Sequence, residues 1–190
     1  MPDLSPPAKG WIAYRSFAGL LTLVAPTGAQ SVPLTAAGKV EAFGWSPAGR
    51  YLACAGYSES ASGLQLSLIT MEDSSLNPVT GSGVVEPDFT WSRDGRFIAY
   101  LEQVTPQEAR APLALQVLEI NTGEVHTVTI YSNRLLPEPE LPTLCSQPFP
   151  YPLLPVCLME SPAYCTLDLW NVQTGEKVSR LGSIAYCGHV

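Results

Sequence analysis

The sequence has few charged residues. Asp, Glu, Lys and Arg together make up 14% of its 190 residues, whereas hydrophobic residues make up 46%. This charge content is low for a protein whose whole surface faces water, and it favours a surface that a partner buries. The charges are mainly acidic, giving a net charge of −7, and no stretch concentrates the ten Lys and Arg residues. We therefore expect no nucleic-acid binding, because neutralising phosphates requires clustered cations.

Long apolar runs are also missing. The longest ones, such as residues 19–26, fall far short of the roughly 18 to 20 residues that span a bilayer as a helix. The N-terminal residues 1–7 (MPDLSPP) have neither the basic start nor the apolar core of a secretion signal. We expect no membrane-spanning helix, and either a cytoplasmic protein or one whose signal has been removed.

The motifs of common enzymes are absent. Only two histidines, His126 and His189, offer general bases. The nucleophile-elbow pattern G-x-S-x-G does not occur, because residues 56–60 (GYSES) lack the final glycine. No phosphate-binding loop or dinucleotide fingerprint is present, and the terminal pair Cys187 and His189 has no third or fourth metal ligand near it in sequence. The sequence predicts a non-enzymatic protein without cofactor or metal.

The five cysteines fall mostly in the last quarter of the chain, at Cys145, Cys157, Cys165 and Cys187. Their spacings do not match the close C-x-x-C pairs of structural zinc sites. We expect ordinary buried thiols, and the alternative is a disulfide among Cys145, Cys157 and Cys165 if the compartment is oxidising. Cys54, between two alanines, is expected in the core.

An internal repeat dominates the sequence. Residues 43–54 (FGWSPAGRYLAC) align with residues 89–100 (FTWSRDGRFIAY) at an offset of 46, and residues 10–14 (GWIAY) preserve the second half of the pattern. The segment predicts a hairpin whose turn needs a glycine with positive φ, at Gly49 and Gly95. Structural roles in the repeat are assigned to Trp45, Gly49, Trp91, Asp94 and Gly95. The tryptophans are expected to pack between neighbouring units, and Arg50 and Arg96 to pair with acidic residues of the adjacent hairpin.

A second hairpin follows each copy. Apolar alternation runs into a turn at Thr27-Gly28, near Asp73-Ser74, at Thr122-Gly123 and at Thr174-Gly175. Period-two alternation with frequent Gly and Pro argues against helices. The predicted fold is all-β, with about four antiparallel four-stranded propeller-type blades in a single domain, 1–190. The blades are expected near residues 10–38, 40–82, 85–130 and 141–182.

The two tryptophan hairpins resemble the repeat of the TolB-type, PD40 or WD40-like propeller family. The resemblance is clear over residues 43–130 and weaker on either side. It implies a propeller that binds partners through its channel or rim, often in the periplasm or outside the cell, and it implies no particular activity. Such propellers commonly carry about six to eight blades. About four blades here indicate a fragment, a small closed ring, or a half-ring that pairs with another chain.

The ends of the chain bear on ring closure. The first unit lacks its first strand, and the final residues 183–190 contain a β-compatible segment, residues 183–187, that could pair with that unit and close the ring. If the ring does not close within the chain, open edges remain, and we expect the chain to form an oligomer that covers them.

Residues 135–162 form a proline-rich stretch with eight of the eighteen prolines. We expect broken or edge-like first strands in the fourth unit, with residues 153–159 as its second strand. A rigid insertion packed on its own blade is the main expectation. The alternative is a partner-binding loop, whose candidate residues are Pro139, Leu141, Pro142, Phe149, Tyr151, Pro152 and Pro155.

Three functions follow. The leading one is a non-enzymatic protein-interaction or scaffold module, a subunit of a larger assembly. The alternative is the sensor or accessory propeller domain of a larger, peptidase-like enzyme, which a reading frame continuing past Val190 into a G-x-S-x-G segment would favour. The third is a propeller that binds a small ligand or metal in its channel.

Overall fold

The computed structural model describes residues 10–35, 39–57, 63–72, 74–80, 84–105, 111–131, 142–144, 148–161 and 164–185. All regular elements in these ranges are β-strands. The described residues contain no helix long and apolar enough to cross a membrane. The strands are β1 (Ile12–Arg15), β2 (Leu21–Val24), β3 (Ser31–Pro33), β4 (Lys39–Trp45), β5 (Tyr51–Tyr57), β6 (Leu64–Thr70), β7 (Leu76–Pro78), β8 (Val84–Trp91), β9 (Phe97–Gln103), β10 (Leu113–Glu119), β11 (Val125–Tyr131), β12 (Pro142–Leu144), β13 (Leu153–Ser161), β14 (Tyr164–Asn171) and β15 (Glu176–Ala185).

The chain divides into two compact units, Met1–Pro87 and Asp88–Val190. The strands form a three-stranded sheet (β1–β3), an eight-stranded sheet (β4–β11) and a four-stranded sheet (β12–β15). We call β1–β3 blade 1, β4–β7 blade 2, β8–β11 blade 3 and β12–β15 blade 4. Strand β8 spans the boundary between the two units, because the boundary falls between Pro87 and Asp88. Its first residue, Val84, pairs with Leu64 of β6. Neighbouring strands pair antiparallel within each blade. The predicted all-β class with propeller-type antiparallel blades is confirmed.

The repeat forms the same turn in both of its clear copies. Gly49 and Gly95 both have φ of 70°, a conformation that side chains disfavour. In blade 2 the Ser46 hydroxyl accepts the Tyr51 N–H at 3.1 Å. In blade 3 the Ser92 hydroxyl accepts the Phe97 N–H at 2.9 Å. The hairpin is therefore fixed by local hydrogen bonds that the sequence motif itself supplies.

Asp94 adds a second anchor to the turn of blade 3. Its carboxylate accepts hydrogen bonds from the Ser92 hydroxyl and from the Arg96 N–H. These bonds lower the pKa of Asp94 against the opposing effect of desolvation. Arg96 pairs with Glu119 at 3.1 Å, which is the expected ion pair with the adjacent hairpin. Blade 2 has Ala48 at the corresponding position and lacks this anchor.

The core of the first unit lies between blades 1 and 2. Its buried members are Leu21, Leu23, Val40, Leu52, Cys54, Ile69 and Met71. Trp45 packs against this cluster, as do Trp11 and Ala13 of the N-terminal copy. Arg15 adds a polar link from blade 1, donating to the Val40 carbonyl at 3.0 Å and pairing with Glu41 at 3.1 Å.

The core of the second unit lies between blades 3 and 4. Its buried members are Phe97, Ala99, Leu101, Leu115, Val117, Val128, Leu144, Phe149, Leu154, Val156 and Val172. Aromatic pairs surround it: Phe97 stacks on Tyr151 with ring centroids 4.2 Å apart, and Tyr131 meets Trp170 edge-on at 6.3 Å. Burial of this kind stabilises thin sheets, which cannot cover their own faces.

Blade 4 is built partly from the proline-rich stretch. Strand β12 has three residues and lies at the edge of its sheet, and β13 covers the predicted residues 153–159. Strand β15 extends to Ala185, because Ile184 and Ala185 pair with Cys165 and Tyr164 of β14. Residues 186–190, the rest of the predicted closing segment, lie outside the described residues. Closure of a ring within one domain remains a prediction.

Candidate interaction surfaces

The central strands of blades 2 and 3 are buried on both faces. Successive residues of a strand point to opposite faces, so a continuous run of buried residues means that both faces are covered. In β5 the run is Leu52 to Ala55, with at most 4% exposure, and in β9 it is Phe97 to Leu101, with at most 5%. We use the exposure of these two strands as the reference for a strand that is buried on both faces.

Blade 1 exposes apolar side chains on the face turned away from the core of the first unit. Ala13 packs on the core of the first unit, whereas its neighbours Ile12 and Tyr14 are 56% and 42% exposed. The repeat aligns Ile12 and Tyr14 with Leu52 and Cys54, which are 0% and 4% exposed in contact with the preceding blade. Val24 lies opposite Ile12 in the ladder. We call Ile12, Tyr14 and Val24 the blade 1 outer face.

Blade 4 shows the same asymmetry on its other side. Leu154 and Val156 face the core of the second unit, and the residues between them face away. The outward set, none of it fully buried, is Leu153, Pro155, Cys157, Leu167, Leu169 and Leu181. The ladder places Pro155 opposite Leu169, Cys157 opposite Leu167, and Leu167 opposite Leu181, and Leu181 is 51% exposed. We call this set the blade 4 outer face.

Aligning the Thr-Gly turns of blades 3 and 4 identifies the blade 3 counterparts of two leucines on this face. It matches Leu167 and Leu169 with Leu115 and Val117 of blade 3, both 0% exposed and packed in the cluster that blade 4 completes. The positions that contact blade 4 from blade 3 are thus matched by leucines in blade 4 itself, where both are partly buried.

The buried carboxylate of blade 4 lies on the face turned toward the core of the second unit. Asp168 is 1% exposed and accepts hydrogen bonds from Arg180 Nε at 2.7 Å and Nη2 at 2.9 Å, with Lys177 at 3.6 Å. The Arg180 guanidinium is the main reason that the pKa of this carboxyl lies below its ordinary value, although burial opposes the shift. None of the residues that define the two outer faces is charged, and the ladders place polar Thr22 beside Tyr14 and Glu176 in register with Leu153 through Asn171.

The predicted partner-binding residues separate into different environments. Pro142 is buried in β12, and Phe149 is 1% exposed and bonds through its N–H to the Trp91 carbonyl at 2.8 Å. Tyr151 stacks on Phe97, and Pro152 leads directly into β13. Pro155 lies on the blade 4 outer face. Pro139 and Leu141 are outside the described residues, so the loop as a partner site remains a prediction.

Sequence reasoning did not single out Ile12, Tyr14 or Leu181. The available signal was that the segments WIAY and LDLW carry apolar residues at both parities. Such a strand is built for cover on both faces. Which of the two faces stays exposed could be known only once the structure showed the face on which the neighbouring blade packs.

The described cysteines lie within the sheets. Among the described residues, no disulfide joins Cys157 to Cys165. Burial raises the pKa of Cys54 to about 11, in keeping with a core position. Cys145 and Cys187 lie outside the described residues.

The described residues offer few features that would bind a small molecule or a metal ion. Among the described residues no three or more His, Cys, Asp or Glu side chains cluster as metal ligands. A surface depression of about 490 Å³ in the first unit is lined by residues 48–51 and 70–72. His126 Nε2 lies 3.1 Å from the Val172 carbonyl oxygen, which places this histidine as a contact between blades 3 and 4.

The blades and their stacking define a β-propeller-type protein. In particular, the structure is similar to TolB from Acinetobacter baumannii, with a TM-score of 0.60 and 11% identity over 88% of this chain. It is also similar to an acylaminoacyl peptidase from Pyrococcus horikoshii (TM-score 0.62, 10% identity, 90% of this chain). A third similar structure is a puromycin-hydrolyzing peptidase from Mycobacterium tuberculosis (TM-score 0.60, 12% identity, 94% of this chain). The resemblance to TolB-like propellers is thereby confirmed at the level of the fold.

The chain corresponds to only part of these proteins. It spans 40% of the TolB chain and 30% and 29% of the two peptidase chains. No protein-family model and no curated protein sequence matches it. Activities and partners therefore do not transfer from the similar structures.

Proposed function

We propose that this chain is a non-enzymatic protein-interaction module of propeller type, acting as a subunit of a larger assembly. The observation that carries the proposal is the exposure of Ile12 and Tyr14 on the outer face of blade 1 and of Leu181 on that of blade 4. In blade 2 the counterparts of Ile12 and Tyr14, Leu52 and Cys54, are buried. A protein that keeps such faces in water loses roughly 25 cal/mol for each Å² of apolar surface left uncovered.

The composition supports the same function. With 14% charged residues the chain has few means of keeping an apolar face soluble, and an uncharged patch of this kind marks an association site.

The proposal is tested by site-specific photo-crosslinking in cells. A photo-reactive amino acid replaces Ile12 in one variant and Leu181 in another, and both are expected to give crosslinked products on irradiation. The control variant carries it at Gln173, an exposed residue in the turn between β14 and β15, and is expected to give none. Absence of products from both outer faces, or equal products from the control, would refute the proposal.

A second candidate is the accessory propeller domain of a larger peptidase-like enzyme. The observation that favours it is the similarity in fold to peptidase chains of which this chain covers 29% and 30%. An antibody against this chain, combined with a fluorophosphonate probe for active serines, tests it on the endogenous protein. A labelled product much heavier than 20.4 kDa would support this candidate, and an unlabelled product of that mass would eliminate it.

A further inference from the structure

We infer that the surface depression on blade 2 binds a carboxylate group through the guanidinium of Arg50. The depression measures about 490 Å³ and is lined by residues 48–51, in the turn from β4 to β5, and 70–72, at the end of β6. All of these residues belong to the first unit. The inference goes beyond the proposed function and does not depend on it.

The equivalent arginine of blade 3 has carboxylates beside it. The repeat aligns Arg50 with Arg96, whose guanidinium pairs with Glu119 at 3.1 Å. The Arg96 N–H also donates to the Asp94 carboxylate at 3.1 Å. In blade 3, therefore, the chain itself supplies the negative charge that this position of the repeat attracts.

Blade 2 lacks both of these carboxylates. Ala48 takes the place of Asp94 in the repeat. Thr70 takes the place of Glu119, because Thr70 lies opposite Tyr51 in its ladder as Glu119 lies opposite Phe97. The ion pair predicted for Arg50 is not found with any described residue.

The backbone around the two arginines is nevertheless the same. The Met71 N–H donates to the Arg50 carbonyl at 3.0 Å, and the Ile120 N–H donates to the Arg96 carbonyl at 2.8 Å. The glycines before the two arginines share a φ of 70°. Shorter side chains on the same backbone leave space beside Arg50, and a carboxylate from a ligand can replace the one that Glu119 supplies in blade 3.

The lining favours a carboxylate over other anions. A guanidinium binds a planar carboxylate through two parallel hydrogen bonds. Glu72, which is exposed, also lines the depression, and its charge repels a phosphate dianion more strongly than a monoanion. Tyr51 and the buried Met71 add apolar lining, so we expect a ligand whose carboxylate is attached to an apolar group.

Titration with sodium benzoate, followed by amide NMR spectra of the full chain, tests the inference. About 0.15 M sodium chloride screens the net charge of −7. Benzoate is expected to cause saturable shifts in the amide signals of residues 48–51 and 70–72. Arg50→Gln is expected to raise the dissociation constant at least about tenfold, because hydrogen bonds to a charged group are lost. Arg93→Gln is the matched control, since Arg93 is exposed in the equivalent turn of blade 3, and it is expected to leave the affinity unchanged.

A second variant separates loss of the site from loss of the fold. Thr70→Glu restores the carboxylate that blade 3 has and is expected to abolish the benzoate shifts by pairing with Arg50. Its Tm is expected to be no lower than that of the unmodified chain, so a loss of binding cannot be ascribed to unfolding.

Two further probes identify the source of the carboxylate. The α-amide of N-acetylglutamic acid presents a carboxylate as the side chain of a partner protein does, and tighter binding of this compound than of benzoate would assign the site to a protein ligand. Tighter binding of benzoate would assign it to a free organic acid. Inorganic phosphate that binds as tightly as either compound overturns the assignment to a carboxylate.

The inference as a whole is overturned if neither carboxylate causes saturable shifts, or if the shifts persist unchanged in Arg50→Gln. Neither result bears on the crosslinks from Ile12 and Leu181, which lie outside the depression. Failure of this site and failure of the proposed function are therefore distinguishable.

Discussion

Carboxylate–arginine ion pairs stabilise this protein to different extents, because their carboxylates differ in burial. Asp168 accepts hydrogen bonds from Arg180 on the neighbouring strand β15. Glu119 accepts one from Arg96, which lies in the turn just before β9. The Asp168 side chain is 2% exposed, whereas that of Glu119 is 23% exposed and its partner Arg96 is 55% exposed. A buried carboxylate that loses its charge leaves unsatisfied donors behind, while solvent replaces an exposed one.

Asp168→Asn is expected to lower the free energy of unfolding by about 1 to 3 kcal/mol at pH 7. Because Arg180 lowers the pKa of the folded-state carboxyl, the stabilisation is complete above the unfolded-state pKa of about 3.9. It is lost as the pH falls through the lowered folded-state pKa. The difference between variant and wild type in urea unfolding should therefore shrink below about pH 4.

Glu119→Gln is the control for Asp168, and we expect it to change stability by no more than about 0.5 kcal/mol. Equal effects of the two substitutions at pH 7 would contradict the role given to Asp168. So would an Asp168→Asn effect that persists undiminished at pH 2.

Among the elements, the repeat hairpins show most directly how local sequence fixes structure. The serine hydroxyl and the positive-φ glycine close the turn without help from the rest of the chain. The Trp-Ser-x-x-Gly motif therefore predicted β4–β5 and β8–β9 from residues within one hairpin. The fourth blade lacks this motif, so the path through Phe149 and β12 could not be read from its prolines.

Gly49→Ala is expected to destabilise the first hairpin by about 1 to 2 kcal/mol. The Gly49 φ is 70° and no atom lies within 4 Å of the added methyl, so backbone strain is the only penalty. Gly182→Ala is the control, since its surroundings are equally open and its φ is not in the positive region. Thermal unfolding should show a lower Tm for Gly49→Ala alone, with Gly49→Asn closer to wild type. A lower Tm for Gly182→Ala of the same size would show that φ is not the cause.

For the whole molecule, the net charge of −7 makes two copies of the chain repel each other at long range. Screening by salt weakens this repulsion.

Raising the salt concentration from about 0.01 to 1 M should therefore weaken the repulsion between copies, because the Debye length falls from about 30 to 3 Å. Static light scattering at several salt concentrations measures this as a smaller second virial coefficient. A coefficient that rises with salt would contradict the role given to the net charge.

The sequence by itself determined the repeat, the strand type and the turns, because period-two alternation and glycine with positive φ act over a few residues. It also placed Trp45 and Arg96 in roles that the structure reproduces. Only the tertiary structure decided that Phe149 is buried and that Ile12, Tyr14 and Leu181 are not. The strands that hold Ile12, Tyr14 and Leu167 have apolar residues at both parities, and which parity is covered depends on a neighbouring blade that no local pattern encodes.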